Sequence, residues 1–444
     1  MRELSEIKKE IFKRSRERTE KRRRFRKRIA VCTTACICIC AVVLILPYSG
    51  AYSGVAAEDL MTSVVPNLIE VPDKLSESKG NAFRDFAVRL LAESVEDGEN
   101  VLVSPLSMLN ALAMTANGAR GETLSQMEEV FGMSKDEMNL AMATYISSLN
   151  RKSGNELKLA NSVWFKSRGL FEVNADFLQT NADYFGAAAY KAPFNNGTLK
   201  DINRLVEEQT DGMIKDVLDK IPKDAVMYLI NALAFEADWF KPYEKDQVYD
   251  GIFNCADGKG RKVTFMKGSE SRYLKDETAQ GFVKYYKGES YAFVAMLPDE
   301  GVSVEEYAAS LTGEKLATLL SSPERRSVTA VIPKFELEYE AEASVVLRAM
   351  GMVDVFDIGA ADLGGMVSSE KDELYVSRVL HKTYISVAEK GTRAGAVTLE
   401  ELFLKGMEPM ESTEVILDRP FVYMIVDCEN NVPFFIGCVN SIGE

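Results

Sequence analysis

The chain has 444 residues, 46% hydrophobic and 27% charged, which is enough for one large or two ordinary globular domains and excludes a disordered or collagen-like chain. Its single histidine, His381, excludes zinc sites that need a histidine pair and leaves a Ser-His-Asp triad only one possible base. The formal net charge is −14, but residues 1–28 carry 14 Lys or Arg against 5 Asp or Glu, a local +9 that leaves −23 for the remainder.

An uncharged run of 18 residues, 29–46, directly follows this basic segment. As a helix it would be about 27 Å long, just enough to cross the hydrocarbon layer of a membrane. By the positive-inside rule, residues 1–28 stay in the cytoplasm and the chain from about Pro47 is exported. The run is then either a single-pass signal anchor or a signal peptide cleaved near the small residues of SGAYSG. A buried helix of a soluble core would not explain fourteen adjacent cations.

The cysteines divide between this run and the rest of the chain. Four lie inside the run: Cys32, Cys36, Cys38 and Cys40. Because the run offers no polar surroundings that could orient metal ligands, we interpret them as small membrane-compatible side chains, with lipid attachment as an alternative, and predict no metal site. The other three are Cys255, Cys428 and Cys438. This odd number on an exported chain predicts that the core, not a disulfide framework, stabilises the fold.

The composition predicts four regions. After the basic segment (1–28) and the apolar run (29–46), residues 47–74 are mixed and interrupted by prolines, as in VVPNLIEVPDKL, which is typical of a short spacer. No second linker follows, so residues 75–444 are predicted to form a single domain.

Helical periodicity dominates the first third of this domain. NAFRDFAVRLLAESV places five apolar side chains on one face: Phe83, Phe86, Ala87, Leu90 and Leu91. In SPLSMLNALAMTANGA, Ser104 is predicted to cap a helix, with Pro105 in its first turn and Gly118 at its end. The pattern recurs in GETLSQMEEVFG, NADFLQTNADYFG and KDINRLVEEQTDGMIKDVL.

Later segments are rich in β-branched and aromatic residues and predict strands. They are AVMYLINALAFEADWF, FVKYYKGESYAFVAML, SVTAVIPKFELEYE, KTYISVAE and FVYMIVDCENNVPFFIGCVN. Helices followed by strands predict an α+β domain with large sheets. No Gly-x-Gly-x-x-Gly follows a strand and no GK[ST] occurs, so nucleotide chemistry has no support. The many carboxylates are interpreted as a solvated surface rather than a glycosidase pair.

About 28 residues separate Gly391 from the next clear strand at Pro420. Connections of this length are usually functional or disordered. From Thr392 to Leu399 the sequence alternates, and the small residues on one face are Thr392, Ala394, Ala396 and Thr398. Because strand side chains alternate between faces, this series is predicted to be a latent strand that can enter a tight slot. An ordinary flexible loop is the alternative.

EKGTRAGAVT, an exposed loop, and then RPFVYMIV and FFIGCVN resemble the hinge, reactive loop and closing strands of the serpins. The likeness continues through NVLVSPLSMLNALAMTANGARGET, NSVWF, INALAFEADWF, IPKFELEYEAEASVVLRAMGM and HKTYISVAEKGT, in the family's order over roughly 370 residues. The resemblance implies about nine helices packed on three β-sheets, with an exposed reactive-centre loop. It also implies a protease inhibitor rather than an enzyme, one that traps a serine protease by inserting its cleaved loop into the main sheet.

The family pattern also assigns site residues. The implied hinge comprises Glu389, Lys390, Gly391, Thr392, Arg393, Ala394, Gly395, Ala396, Val397 and Thr398. The family's spacing of fourteen residues after Gly391 places the reactive bond between Lys405 and Gly406, which would suit a trypsin-like protease; a cysteine protease is a further possible target. The implied residues of the shutter, where the sheet opens, are Ser104, Ser107, Asn231 and His381. Trp239 matches the tryptophan at the breach, where the loop first enters.

The chain departs from the family at two important points. The stretch from Lys405 to Pro420 is longer than usual, which leaves Phe403, Leu404, Met407 and Met410 as alternative bait residues. Glu400 falls on the inward face, where burial of a carboxylate is costly. Arg393 replaces a more usual glutamate but points outward, so we expect little effect.

The sequence is therefore compatible with three functional hypotheses. The first is an extracellular or cell-surface inhibitor of a serine-type endopeptidase, acting as a monomer without a cofactor. The second is a non-inhibitory binding or chaperone protein of the same fold, whose loop is only a substrate. The third is a hydrolase that uses Ser104 or Ser107 with His381. The acidic body argues against nucleic acid or another polyanion as a partner.

Overall fold

The computed structural model of the chain describes residues 57–152, 157–167, 172–367, 374–392 and 412–443. The predicted basic segment and apolar run lie outside these residues, as do residues 393–411 with most of the predicted hinge and the predicted reactive bond. Within the described ranges, no helix combines the length and the apolar character needed to span a membrane.

Nine α-helices form within the described ranges. They are α1 (Glu77–Ser94), α2 (Pro105–Ala116), α3 (Gly121–Phe131), α4 (Lys135–Lys152), α5 (Ala175–Phe185), α6 (Asn196–Gln209), α7 (Val304–Ser310), α8 (Gly313–Ser321) and α9 (Ser344–Ala349).

Helix α2 begins as its sequence predicts. The Ser104 side chain accepts a hydrogen bond from the backbone N–H of Ser107, and Pro105 occupies the first turn. The helix ends at Ala116, two residues before the predicted stop at Gly118. A Cβ at Gly118 would lie 2.0 Å from Cγ of Met366, so close packing requires glycine there. All twelve helical residues are buried.

The prediction for α6 was wrong at both ends. The helix starts at Asn196, where the Asn195 side chain caps it, rather than at Lys200. It ends at Gln209 instead of continuing to Leu218, because Asp211 and Gly212 adopt φ angles of +50° and +74°. A right-handed helix cannot continue through that conformation.

Seventeen strands form in the same part of the chain. They are β1 (Glu58–Asp59), β2 (Val101–Val103), β3 (Leu157–Lys166), β4 (Ala188–Ala192), β5 (Met227–Phe235), β6 (Ala237–Asp238), β7 (Val248–Asn254), β8 (Gly260–Lys275), β9 (Ala279–Tyr285), β10 (Tyr291–Pro298), β11 (Glu324–Pro333), β12 (Phe335–Glu342), β13 (Arg378–Val387), β14 (Gly391–Thr392), β15 (Ser412–Ile416), β16 (Phe421–Asp427) and β17 (Val432–Val439).

Hydrogen bonding joins these strands into two networks, and the α+β class is confirmed. One network has eight strands in the order β1-β4-β3-β5-β13-β14-β6, with β12 also paired to β13. The other has nine in the order β15-β11-β8-β9-β10-β16-β17-β2, with β7 also paired to β8. The resemblance implied three sheets. The described strands count as two networks because β8 is 16 residues long and pairs with β7, β9 and β11 along its length.

Residues of the predicted spacer lie against the edge of the eight-stranded network. Glu58 and Asp59 pair with Lys191 and Tyr190 of β4. Further along, both the backbone N–H and the side-chain amide of Asn67 donate to the carboxylate of Asp183 on α5.

Helix α2 connects the two networks. It contacts β3 and β5 of the first network and β17 of the second, which explains why it carries no exposed face. Its first turn, with Ser104 and Ser107, therefore lies beneath the middle of the eight-stranded sheet.

Candidate functional site

The candidate site is a gap between two strands of the eight-stranded sheet. β5 and β13 pair directly and in parallel from Tyr228 and Arg378 up to Leu233 and Thr383. Above that level the short strand β14 lies between their continuations, because Thr392 pairs with Val387 on one side and with Ala237 on the other. Thr392, the first residue of the predicted latent strand, thus already occupies a strand position in the sheet, together with Gly391 before it.

Thr392 points inward, as the alternation predicts for this position. It is 1% exposed, and its Oγ1 lies 2.6 Å from the hydroxyl of Tyr286. Burial raises the pKa of Tyr286 far above its ordinary value, so the hydroxyl stays neutral and can donate or accept in this contact. The later members of the series lie outside the described residues.

Gly391 allows β14 to enter the sheet. A Cβ at this position would lie 2.1 Å from the carbonyl oxygen of Ala237 and 2.7 Å from Cα of Asp238. Both atoms belong to a paired backbone, which cannot move aside without breaking the ladder.

Trp239 and Tyr243 hold the chain just before β14. The backbone N–H of Trp239 donates to Lys390 O and that of Tyr243 to Glu389 O, each at 2.8 Å. The indole Nε1–H of Trp239 donates to Ala388 O, also at 2.8 Å. The indole stacks on Tyr286 with ring centroids 4.5 Å apart. Trp239, which was predicted at the breach, thus bonds two of these three successive carbonyls, and Tyr243 bonds the one between them.

A partly exposed ion pair, Lys334–Glu389, lies at the same junction. Nζ of Lys334 lies 2.9 Å from Oε1 of Glu389. Burial opposes ionisation of Glu389, but the hydrogen bond from Lys334 and a backbone N–H hold its pKa below the ordinary value. Sequence reasoning named Glu389 but missed Lys334, which precedes it by 55 residues and has no local pattern to mark it.

Lower in the sheet, the four predicted shutter residues meet. Nε2 of His381 accepts the backbone N–H of Ser104 at 3.0 Å, and its Nδ1 lies 3.2 Å from Oδ1 of Asn231. The Ser107 hydroxyl donates to the same Oδ1, and the Asn231 amide donates to Ser107 O. These bonds connect β5, β13 and the first turn of α2 at one point.

The environment of His381 fixes its protonation state. Complete burial lowers the pKa of the ring to about 4. A neutral ring with its proton on Nδ1 suits both contacts, since Nε2 accepts from a backbone N–H and Nδ1 faces an oxygen.

This geometry does not fit a hydrolase. Ser104 and Ser107 are fully buried, so a substrate cannot reach either hydroxyl. Nε2 of His381 accepts from the backbone of Ser104 instead of facing its Oγ, and a general base must contact the nucleophile. Within the described ranges no group of three His, Cys, Asp or Glu is placed to hold a metal ion.

Asn161 lies beside this cluster, and sequence reasoning did not name it. It lies directly opposite Asn231 in the β3–β5 pairing, and neither polar atom of its buried amide has a hydrogen-bond partner among the described residues. The motif NSVWF that contains it was recognised, but the role of a single asparagine within a strand depends on which strand pairs beside it.

A protein-family model described as "Serpin (serine protease inhibitor)" matches residues 81–442. Serpin B9 from Homo sapiens is 30% identical over 380 residues, covering 82% of this chain and all of that protein. The leukocyte elastase inhibitor of Equus caballus is 30% identical over 385 residues, with the same coverage. An uncharacterized serpin-like protein of Thermococcus kodakarensis is 28% identical over 367 residues, covering 80% of this chain and 84% of that protein.

Two solved structures of one thermophilic serpin, tengpin, are also similar. Its native state matches with 42% identity and a TM-score of 0.83, over 87% of this chain and all of that one. Its latent state matches with 41% identity and a TM-score of 0.72, over 85% of this chain and all of that one. The fold described above is thus more similar to the native state than to the latent state.

Proposed function

Because the chain belongs to the serpin family, we propose that it inhibits a serine endopeptidase by suicide-substrate cleavage and loop insertion. The bait is the loop that follows Thr392. The observation that carries the proposal is β14, which already lies between β6 and β13. Insertion needs only the next residues to continue that strand and separate β5 from β13.

The register of β14 indicates where each loop residue would arrive. If the pairing continues without a shift, Ala396 falls between Leu233 and Thr383, and Thr398 between Asn231 and His381. The small side chains would thus enter positions whose neighbours in both strands are buried. Insertion there would separate His381 from Asn231, which are now in contact, and the Thr398 hydroxyl could supply a new partner to either side chain.

Inhibition is a race between two steps. Cleavage of the loop leaves the protease joined to it as an acyl-enzyme. Either this acyl-enzyme hydrolyses and releases an active protease, or the loop inserts first and carries the protease along. A strand of about 14 residues at roughly 3.4 Å each spans about 48 Å, enough for that displacement. Each increase of about 1.4 kcal/mol in the insertion barrier shifts the race about tenfold toward turnover.

The proposed target is trypsin-like, because Lys405 occupies the position expected of the bait residue and a lysine suits a pocket with a buried carboxylate. The alternative bait residues Phe403, Leu404, Met407 and Met410 would redirect the chain to other proteases, cysteine proteases included.

The test is incubation with trypsin. We expect a complex that survives SDS, and mass spectrometry of the released fragment locates the scissile bond. Thr392→Arg provides the control, since a large cation cannot enter the buried site of Thr392, and this variant should be cleaved without trapping; Thr392→Ser should still trap. Clean cleavage without a complex, at every protease tried, would refute the inhibitory function.

A non-inhibitory binding or chaperone protein is the second candidate. It is favoured by Glu400, which the same register places between Leu229 and Val379, both fully buried, and by the lengthened loop. In that case cleavage produces neither a complex nor insertion.

We further propose that the protein acts outside the cytoplasm, as a monomer held by the apolar run 29–46 or released after its cleavage. The support is the sequence alone, a basic segment followed by 18 uncharged residues. Membrane fractionation of cells expressing the full chain, followed by protease treatment of intact cells, tests it. A full-length chain in the soluble cytoplasmic fraction would contradict the proposal.

A further inference from the structure

A lysine ammonium is buried beside the hinge. Lys284, on β9, is 2% exposed, and its Nζ lies 2.9 Å from Oε1 of Glu270 on β8. Burial lowers its pKa, and the charge of Glu270 opposes that shift. A buried lysine is costly unless its charge and its donors are matched.

Among the described residues, the other polar and aromatic contacts of this ammonium belong to one segment, 239–243. Nζ lies 3.2 Å from the carbonyl oxygen of Lys241. It also lies 4.3 Å from the ring centroid of Tyr243 and 5.1 Å from that of Trp239. A carboxylate, a carbonyl and two aromatic faces thus surround the cation, and both rings lie within the range of a cation–π interaction.

The same segment holds the base of the hinge. Trp239 and Tyr243 donate the three hydrogen bonds that restrain the carbonyls of Ala388, Glu389 and Lys390. These three residues directly precede β14. Lys284 therefore connects the nine-stranded network, through segment 239–243, to the point from which the inserting strand starts.

We propose that Lys284 is a positioning residue for loop insertion, which fixes segment 239–243 so that β14 keeps its register at the top of the gap. This inference rests on the proposed insertion mechanism and adds a residue to it. A methionine could fill the volume, but it would leave the Lys241 carbonyl and Glu270 without their donor and the two rings without their cation. The segment would then loosen, and the first pair of the new strand would form less often.

The chain offers a matched control in Lys315. Its Nζ lies 3.2 Å from Oδ2 of Asp276 and 5.3 Å from the ring centroid of Tyr307. Lys315 thus also lies between a carboxylate and an aromatic ring, although its side chain is 20% exposed, against 2% for Lys284, and its Nζ also lies 3.4 Å from Oγ of Ser310. Lys315 lies on α8 and makes no described contact with segment 239–243.

The experiment measures two quantities in Lys284→Met and Lys315→Met. One is partitioning, measured as the number of inhibitor molecules consumed per trapped trypsin. The other is the rate of insertion, followed as the rate at which the chain gains heat resistance after excess protease has rapidly cut the loop. We expect Lys284→Met to slow insertion by about tenfold and to raise the consumption of inhibitor, Lys315→Met to leave both unchanged, and Lys284→Arg to restore most of the wild-type behaviour.

A double variant guards against simple misfolding. In Lys284→Met with Glu270→Leu, both members of the ion pair become apolar, which is often neutral for stability. This variant should unfold like the wild type in urea and still insert slowly. Insertion of Lys284→Met at the wild-type rate, or equal slowing in Lys315→Met, would overturn the proposal.

Its failure is distinguishable from failure of the inhibitory function. A wild-type chain that gains heat resistance but forms no complex contradicts inhibition, while the insertion rates of the variants still decide the role of Lys284. A wild-type chain that gains no heat resistance contradicts both the inhibitory function and the role of Lys284 in insertion.

Discussion

His381 couples the stability of the sheet to pH. Its ring bonds Ser104 and faces Asn231 in the neutral form, and burial lowers its pKa from 6.5 to about 4. Between these pH values the unfolded chain binds a proton that the folded chain does not. The contribution of His381 to the free energy of unfolding is therefore fully present above pH 6.5 and decreases as the pH falls toward 4.

We expect the acid loss attributable to His381 to approach about 3 kcal/mol of unfolding free energy. Urea unfolding of the wild type and of His381→Gln at pH 7 and pH 4.5 measures it, since the variant keeps the acidic side chains and removes the only histidine. The difference between the two chains should shrink at the lower pH. A difference that does not change with pH would show that the ring is not held neutral.

At the scale of a strand, β14 depends on a close approach between backbones. Gly391→Ala would place a methyl carbon about 2.1 Å from the Ala237 carbonyl, so β14 should leave the sheet. We expect a loss of about 1–3 kcal/mol of stability and slower insertion. Gly359→Ala is the control, because its nearest neighbour would be an aspartate oxygen at 3.5 Å. Equal behaviour of the two variants would mean that β14 is not held in this position.

The alternation of the inserting strand leads to a second prediction at this scale. Glu400 and Glu401 are neighbours of identical chemistry, but an alternating strand places only Glu400 against buried Leu229 and Val379. We expect Glu400→Ala to lower the number of inhibitor molecules consumed per trapped protease, because a carboxylate no longer has to be buried. Glu401→Ala should change this ratio little. The reverse ranking of the two would indicate a register shifted by one residue.

For the whole molecule, cutting the loop should increase stability. A new strand paired on both sides adds backbone hydrogen bonds and buries small side chains, so the melting temperature should rise by about 10 °C or more. Differential scanning calorimetry before and after cleavage measures this change, and Thr392→Arg should show little increase. An unchanged melting temperature in the wild type would place the chain among the non-inhibitory members of its fold.

The sequence predicted much of the fold, but unevenly. Ser104 and Pro105 marked the start of α2 correctly. Of the alternating series that begins at Thr392, only Thr392 lies within the described residues, in β14, and the rest of the latent strand stays a prediction. Helices α7 and α8 were not predicted, although Ser303 and Glu306 form a capping box at the start of α7. The over-long prediction for α6 shows the opposite error, because apolar spacing continued past the residues that end the helix.

The family and the order of its elements were determined by the sequence alone, because caps, periodicity and ordered motifs are local properties of the chain. Which side chains meet was decided only by the tertiary structure. His381 bonds Ser104 across 277 residues, Lys334 pairs with Glu389, and Lys284 contacts segment 239–243 from a different strand network. Such contacts depend on strand register and on how α2 packs between the networks, and both result from burying the whole core at once rather than from any one segment.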